Sequence, residues 1–332
     1  MSKIVRQWIY KIWYEDSKWA IFLLPLAWLM RIIIELRLFL YRTGMIEPYR
    51  LPVPVIIIGN ITVGGSGKTP LVIALCNMLK QQGLSVGVVA SAYEKEMGED
   101  SVEVTADSDP EIFGDEPVMI AQNTQCPVFI GKYKSMSAHK LYQTAKPQII
   151  LCDDGLQHYR LARDMEVVVV NGEKLFGNRH TIPAGPLREP VARLKKADFV
   201  VYQEKEGKHE NNFYQKPKAL ISISPEKQSV ELSQFVGKKV HGVAGIAHPD
   251  LFFQQLRDLG MEVIPHPFAD HHQYVDKDLT FNDEYPIIMT EKDAVKCYPS
   301  TLKNGWYLAV DLVICSHFLE QFTKRIQEMI NG

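Results

Sequence analysis

The chain predicts an α/β protein of the phosphate-loop type. Its expected form is a doubly wound parallel sheet joined to a second, smaller α/β unit and preceded by an amphipathic membrane helix. Three observations carry this expectation. An apolar β-branched run, Val55-Ile56-Ile57-Ile58, feeds a glycine-rich turn and then a helix-period stretch from Leu71 to Leu79. Short apolar runs alternate with helix-length segments through the middle of the chain. The same alternation resumes after a charged, polar stretch, Glu204 to Lys218. The expected boundaries are 1–50 for the N-terminal segment, 51–205 for the phosphate-loop unit, 206–230 for a linker and 231–332 for the smaller unit. The last helix is free to pack back on the first unit.

The glycine-rich turn is Gly59-Asn60-Ile61-Thr62-Val63-Gly64-Gly65-Ser66-Gly67-Lys68-Thr69-Pro70. Glycines there let backbone N–H groups approach phosphate oxygens without a side chain in between. Lys68 is placed to reach the β/γ-phosphates, and the Thr69 hydroxyl to hold Mg²⁺. The following helix adds its positive end to the same anion site. The nucleotide contacts expected are Thr62, Gly64, Gly65, Ser66, Gly67, Lys68 and Thr69. The strict pattern has glycine where this chain has Thr62, but the Gly-Gly-Ser-Gly-Lys-Thr core is intact.

The N-terminal 50 residues differ from the rest. Trp19 to Met30 is uncharged and broken only by Pro25, shorter than the roughly 20 residues a span needs. Eight Lys and Arg residues outnumber the four acids Glu15, Asp16, Glu35 and Glu47, and tryptophans stand at 8, 13, 19 and 28. A basic, tryptophan-rich helix suits an anionic membrane surface. As a whole the chain has the composition of a soluble globular protein, with 46% apolar and 23% charged residues. A net charge of −2 argues against a dedicated nucleic-acid partner. Five scattered cysteines with no CxxC pair suggest neither a disulfide framework nor a zinc site.

Leu84 to Ala90, Pro127 to Ile130, Pro147 to Cys152 and Val167 to Val170 read as strands, with helices opening at Gly114-Asp115-Glu116-Pro117 and near Lys134. The strand Ile149-Ile150-Leu151-Cys152 ends in Asp153-Asp154, the form of a carboxylate pair that binds Mg²⁺ directly or through water. Asn171 to Pro190 reads as a long loop rich in Gly, Pro and basic residues, a length that is often functional. In the second unit, strands are expected at Val240–Val243, Glu262–Ile264, Ile287–Met289 and Trp306–Val310. Helices are expected near Pro249–Leu259, over Lys292–Cys297 and at the C-terminus.

Seven stretches, in order, resemble the tetraacyldisaccharide 4′-kinase family of lipid A synthesis. They are the phosphate loop, Gly114-Asp115-Glu116-Pro117, Asp153-Asp154-Gly155-Leu156-Gln157-His158, Pro183-Ala184-Gly185-Pro186-Leu187-Arg188-Glu189-Pro190, Ala244-Gly245-Ile246, Asp270-His271-His272 and Thr290-Glu291-Lys292-Asp293-Ala294-Val295-Lys296. The resemblance implies ATP and Mg²⁺ as cofactors. It also implies transfer of the γ-phosphate to the 4′-hydroxyl of a tetraacylated disaccharide 1-phosphate lipid, forming lipid IVA. It assigns Lys68 and Thr69 to phosphate and metal, and Asp115 to the catalytic carboxylate. His271, or else His272, becomes its partner in a base dyad, and Asp153, Asp154 and Glu189 become acids near Mg²⁺. A monomer at the cytoplasmic face of a bacterial inner membrane, held peripherally or by its N-terminus, is the implied setting. The family's usual Ser-Arg-Gly-Tyr is replaced here by Ala90-Ser91-Ala92-Tyr93, followed by Glu94 and Glu96. Two other readings remain open on sequence: an ATPase switch that cycles on and off membranes, and a paralogue that binds ATP or lipid without turnover.

Overall fold

The computed structural model describes residues 3–15, 17–91, 101–205, 207–224, 226–297, 302 and 304–331. The replaced Ala92-Tyr93 stretch, with Glu94 and Glu96, lies outside the described residues. Two helices, α1 (Lys3–Tyr14) and α2 (Ala20–Arg42), precede the sheet. The first unit follows as β1 (Val55–Gly59), α3 (Lys68–Gln81), β2 (Val86–Val89), β3 (Val102–Val104), α4 (Pro110–Phe113), α5 (Asp115–Thr124), β4 (Val128–Ile130), α6 (Lys134–Ala145), β5 (Ile149–Asp153), β6 (Met165–Asn171) and β7 (Phe199–Gln203). The remainder is β8 (Asn212–Ser222), β9 (Ser229–Val230), β10 (Lys239–Ala244), α7 (Pro249–Asp258), β11 (Glu262–Pro267), β12 (Ile287–Thr290), α8 (Glu291–Ala294), β13 (Gly305–Ile314) and α9 (Ser316–Asn331).

β1 is buried along its whole length and pairs in parallel with β5 on one side and β6 on the other. A parallel strand covered by helices on both faces has no reason to alternate, which is why Val55–Ile58 is uninterrupted apolar sequence. Because β1 and β5 run side by side, the phosphate loop and the Asp153-Asp154 pair emerge at the same sheet edge. Ile58 stands in register with Asp153.

The strands of both units belong to one sheet, in the order β11-β10-β12-β13-β8-β7-β6-β1-β5-β2-β4-β3, with β9 on β8. The stretch expected as a linker, 206–230, supplies the splice. β8 pairs in parallel with β7 through Tyr202–Asn212 and Gln203–Phe213, then runs antiparallel to β13 as far as Ser222. Its lysines misled the sequence reading. An antiparallel strand can keep one face wet, so exposed Lys216 and Lys218 coexist with buried Phe213 and Leu220. The register slips opposite Pro217, which has no N–H to give the ladder. β3, an edge strand antiparallel to β4, likewise lies in a stretch where the sequence analysis expects no strand.

The N-terminal segment forms two helices where one amphipathic helix was expected. They dock on the Asn171–Pro190 loop. Trp13 Nε1 donates to the Pro183 carbonyl at 3.0 Å, Asn178 Nδ2 to the Ile12 carbonyl at 3.0 Å, and Thr181 Oγ1 to the Ala27 carbonyl at 2.9 Å. Outside that seat α2 is strongly exposed, with Phe22 at 76% and Trp28 at 69% of full exposure. Among the described residues, no helix is long and apolar enough to cross a membrane.

Helix α9 returns to the first unit. Phe318, Phe322 and Ile326 are fully buried in the core that holds Ile56, Ile58 and Leu71, and Phe318 meets Phe199 edge-on at 5.3 Å between centroids. Phe322→Ala is therefore expected to destabilise the phosphate-loop unit by about 3–5 kcal/mol, read as a lower urea midpoint. A change below about 1 kcal/mol would mean that α9 is not part of that core.

Candidate active site

The phosphate loop begins by stitching itself to the loop around residue 187. Thr62 forms an antiparallel bridge with Leu187, Val63 N donates to the Pro186 carbonyl at 2.8 Å, and Arg188 N donates to the Ile61 carbonyl at 2.7 Å. Thr62 lies outside the positive-φ region, so the glycine of the strict pattern is not needed there. Gly64 and Gly67 do need to be glycine, at φ +107° and +75°. A Cβ at Gly64 or Gly65 would point into open space, the concavity a phosphate would fill. Lys68 and Thr69 then open α3 at its positive end.

Thr69 Oγ1 donates to Asp153 Oδ2 at 3.0 Å. The other oxygen, Oδ1, is buried with no hydrogen-bond partner, as is Ser66 Oγ beside it in the sequence of the loop. Burial, reinforced by the charge of Glu116, pushes Asp153 up to about 6. An orphaned carboxylate oxygen next to a threonine hydroxyl suits a hard divalent cation. Mg²⁺ commonly uses only one or two protein carboxylates and leaves the rest of its octahedron to phosphates and water. Among the described residues no group of three His, Cys, Asp or Glu could hold a metal ion. Thr69 and Asp153 fit the ion.

The other expected metal acids are committed elsewhere. Asp154, at φ +50°, lies 3.6 Å from Lys68 Nζ and 3.1 Å from Arg188 Nη1. Burial alone would raise its pKa, but Lys68 and Arg188 outweigh it and hold the carboxyl down to about 2. Glu189 is 1% exposed and saturated: it accepts from Gln157 Nε2 at 2.9 Å and Tyr159 Oη at 2.5 Å, and pairs with Arg193 Nε at 3.2 Å. With its oxygens so engaged, Glu189 ties the Pro183–Pro190 stretch to Gln157, Tyr159 and Arg193.

Asp115 opens α5, where a carboxylate is favoured by the helix dipole. His271 lies in the loop after β11, at φ +60°, and its Nδ1 faces Asp115 Oδ2 at 3.1 Å and Oδ1 at 3.2 Å. An ionised carboxylate can only accept, so Nδ1–H donates. The contact raises the His271 pKa above 6.5, against burial and the Lys292 charge. Asp115 is lowered despite its burial, by His271 and Lys292. The adjacent His272 pairs instead with Asp278 at 2.9 Å, which settles which histidine meets Asp115.

Three groups were not named from sequence. Lys134, 3% exposed at the start of α6, donates to the Asp153 carbonyl at 2.5 Å and to Ser91 Oγ at 3.1 Å. Lys292 lies 3.2 Å from Glu116 Oε1 and 3.6 Å from Asp115 Oδ2, tying α8 to α5. Glu116 stands between that lysine and Asp153, which feels its charge. For Lys134 and Lys292 the available signal was position: a charged residue at the first turn of a helix following a parallel strand faces the binding edge of the sheet.

Asp115→Asn is expected to lower the His271 pKa, because the raising partner is lost while burial and Lys292 remain. Imidazole NMR titration reads this directly, and an unmoved titration would mean that the two side chains are apart in solution.

The chain matches the family model for tetraacyldisaccharide-1-P 4′-kinase over residues 19–328. It is 40% identical to the tetraacyldisaccharide 4′-kinase of Methylobacillus flagellatus over 99% of each chain. It is 44% identical to that of Stenotrophomonas maltophilia over 90% of each. Among solved structures it is similar to LpxK from Aquifex aeolicus, determined in complex with ATP, at 26% identity and a TM-score of 0.77, covering 94% of this chain and 99% of that one.

Proposed function

The chain belongs to the tetraacyldisaccharide 4′-kinase family and is an ATP-dependent 4′-kinase of lipid A biosynthesis, and from that premise we propose how its own residues divide the work. Neither a membrane-cycling ATPase switch nor a paralogue without turnover finds support among its relatives. The observation that carries the proposal is the Asp115–His271 contact of 3.1 Å, at the sheet edge that also bears Lys68, Thr69 and Asp153.

The backbone of Gly64 to Thr69 and the Lys68 ammonium bind and orient the ATP phosphates. Thr69 Oγ1 and Asp153 hold Mg²⁺, which when bound neutralises charge on the β- and γ-phosphate oxygens. Asp154 spaces Lys68 and Arg188, two cations that would otherwise repel each other, and so aims them at the phosphates. The acceptor is the 4′-hydroxyl of the tetraacyldisaccharide 1-phosphate. Its proton passes to the Asp115–His271 pair as the oxygen bonds to the γ-phosphorus and the bond from that phosphorus to the β–γ bridging oxygen breaks, releasing ADP. The Asp115 carboxylate keeps the imidazole oriented and basic.

Membrane placement follows from the substrate and from α2. A four-chain lipid leaves a bilayer at great cost, and the exposed Trp28, Phe22 and Ile32, with Arg31 and Arg37 on the same helix, form a surface suited to an anionic leaflet. We place the enzyme peripherally on the cytoplasmic leaflet of the bacterial inner membrane. Every group of the site comes from one chain, which supports action as a monomer.

With purified protein, Mg²⁺ and the acceptor in detergent micelles, label from γ-labelled ATP should enter lipid and should not do so with Lys68→Ala. Asp115→Ala and His271→Ala should each lower kcat on the order of 10²-fold or more with ATP binding retained. Near-normal turnover in either variant removes that residue from the mechanism. The kcat of the parent enzyme should fall on the acid side, with a midpoint above 6.5, as His271 takes up a proton. For the membrane, Phe22→Glu with Trp28→Glu should abolish sedimentation with anionic vesicles while turnover in micelles persists. Retained sedimentation would move the contact away from α2.

A further inference from the structure

The mechanism above leaves two family motifs without a task, Ala244-Gly245-Ile246 and the Thr290–Lys296 stretch, and the structure joins them. The short helix α8 of the second is built around a fully buried ion pair: Asp293 Oδ1 lies 2.8 Å from Lys296 Nζ, with 0% and 1% of the side chains exposed. The remaining oxygen, Asp293 Oδ2, accepts from Thr290 Oγ1 at 2.7 Å and from the Gly245 backbone N at 3.1 Å. Gly245 in turn accepts from the His271 backbone N at 3.1 Å. Its own Cβ position is closed off by Tyr274 Oη at 2.8 Å and Asp293 Oδ1 at 3.0 Å, so no larger residue fits that hinge of the network. Breaking a buried pair of this kind is costly, since it strands a charge. The block formed by α8, Gly245 and the His271 backbone therefore holds together as a unit.

Besides Glu291, which accepts from Asn123 Nδ2 at 3.0 Å near the far end of α5, that block presents two side chains to the start of α5. One is His271, already bonded to Asp115. The other is Lys292, whose Nζ lies 3.2 Å from Glu116 Oε1, 3.6 Å from Asp115 Oδ2 and 3.5 Å from His271 Nε2. We infer that Lys292 is a positioning residue for phosphoryl transfer: it latches the second unit onto α5 and holds the Asp115–His271 pair in register. Two acids from one unit meet a cation and an imidazole from the other, so the latch closes only when both units are in place. Lys292 also sets the charge of the pair. The charged groups acting on His271 are Asp115 from α5, Asp270 from its own loop and Lys292 from α8, while Glu116 of α5 faces Lys292 and Lys296 acts on Asp115. The Lys292 ammonium opposes protonation of the imidazole, while the carboxylates favour it. The latch therefore keeps Asp115 ionised and keeps the imidazole from becoming too basic to shed its proton.

The inference rests on the reading of Asp115–His271 as the proton-accepting pair, and the test separates the two. Lys292→Met, Lys292→Arg and Asp115→Asn are compared with the parent enzyme for thermal midpoint, ATP binding and kcat across pH. Lys292→Met is expected to lower kcat by about tenfold or more with ATP binding nearly unchanged. Its acid limb should move to higher pH, because the charge opposing His271 protonation is gone. Lys292→Arg should restore part of the rate and return the limb toward its parent position. Parent-like kcat in Lys292→Met, or a lower kcat with an unmoved acid limb, overturns the latch. Should Lys292→Met fail to fold, Lys292→Gln takes its place, and a lower kcat with the acid limb moved to higher pH supports the latch while a parent-like kcat or an unmoved limb overturns it. If Asp115→Asn turns over normally, it is the reading of the pair that fails, whatever the lysine variants do.

Discussion

Asp115 and His271 are 156 residues apart in the chain and 3.1 Å apart in space. Each sits on an element that would be unremarkable alone: a carboxylate at a helix start, and a histidine in a polar loop. Their meeting requires that two α/β units share a fixed relative position, and the constraint that supplies it is the backbone ladder through β7, β8 and β13. β7 and β8 share only two paired residues, but β8 then pairs with β13 along nearly its whole length. The helix that follows β13 buries Phe318 and Phe322 back in the first unit. Backbone hydrogen bonds along β13 and apolar burial of the helix that leaves its C-terminal end thus act together to hold the second unit where its histidine reaches α5.

Charge crowding is the second organising feature. Asp153, Asp154, Asp115 and Glu116 converge on one sheet edge, and like carboxylates at close range cannot all ionise without cations. The chain supplies them selectively. Lys68 and Arg188 flank Asp154 and hold it at about 2, whereas Asp153, more deeply enclosed, is left at about 6. Neighbouring residues of one motif therefore differ sharply in proton affinity. The one left under-compensated is also the one bonded to Thr69, where a cation of the substrate complex would be most strongly attracted.

The Asn171–Pro190 loop has a structural role beside any contact with ligand. Its carbonyls and amides accept and anchor α1 and α2, while its far end, at Pro186 to Glu189, is laced to the phosphate loop and to Gln157. The exposed apolar helix and the phosphate cradle are thereby parts of one continuous hydrogen-bonded assembly. A catalytic site that acts on a bilayer-resident lipid needs such a fixed relation between its membrane-facing surface and its reacting groups.

How much of this was legible in the residues depended on the range of the interactions. The phosphate loop, the strand ending in Asp153-Asp154 and the helix opened by Asp115 are local patterns, in which backbone requirement and side-chain chemistry lie within a few positions. They were readable, and a resemblance built on seven ordered motifs named the family. β8 was not readable, because its lysines face water and its apolar residues matter only once β13 lies beside them. The choice between His271 and His272 was not readable either: adjacent residues of equal chemistry are separated by a left-handed backbone at His271 and a partner, Asp278, that takes the other. The contacts of Glu189 with Gln157, Tyr159 and Arg193 were likewise not readable, since only the first two lie near each other in the chain. By itself the sequence determined the fold class, the nucleotide cradle and the family. Only the tertiary structure decided which carboxylates are free, which histidine is paired and how two units become one site, because each of those outcomes depends on a contact between residues far apart in the chain.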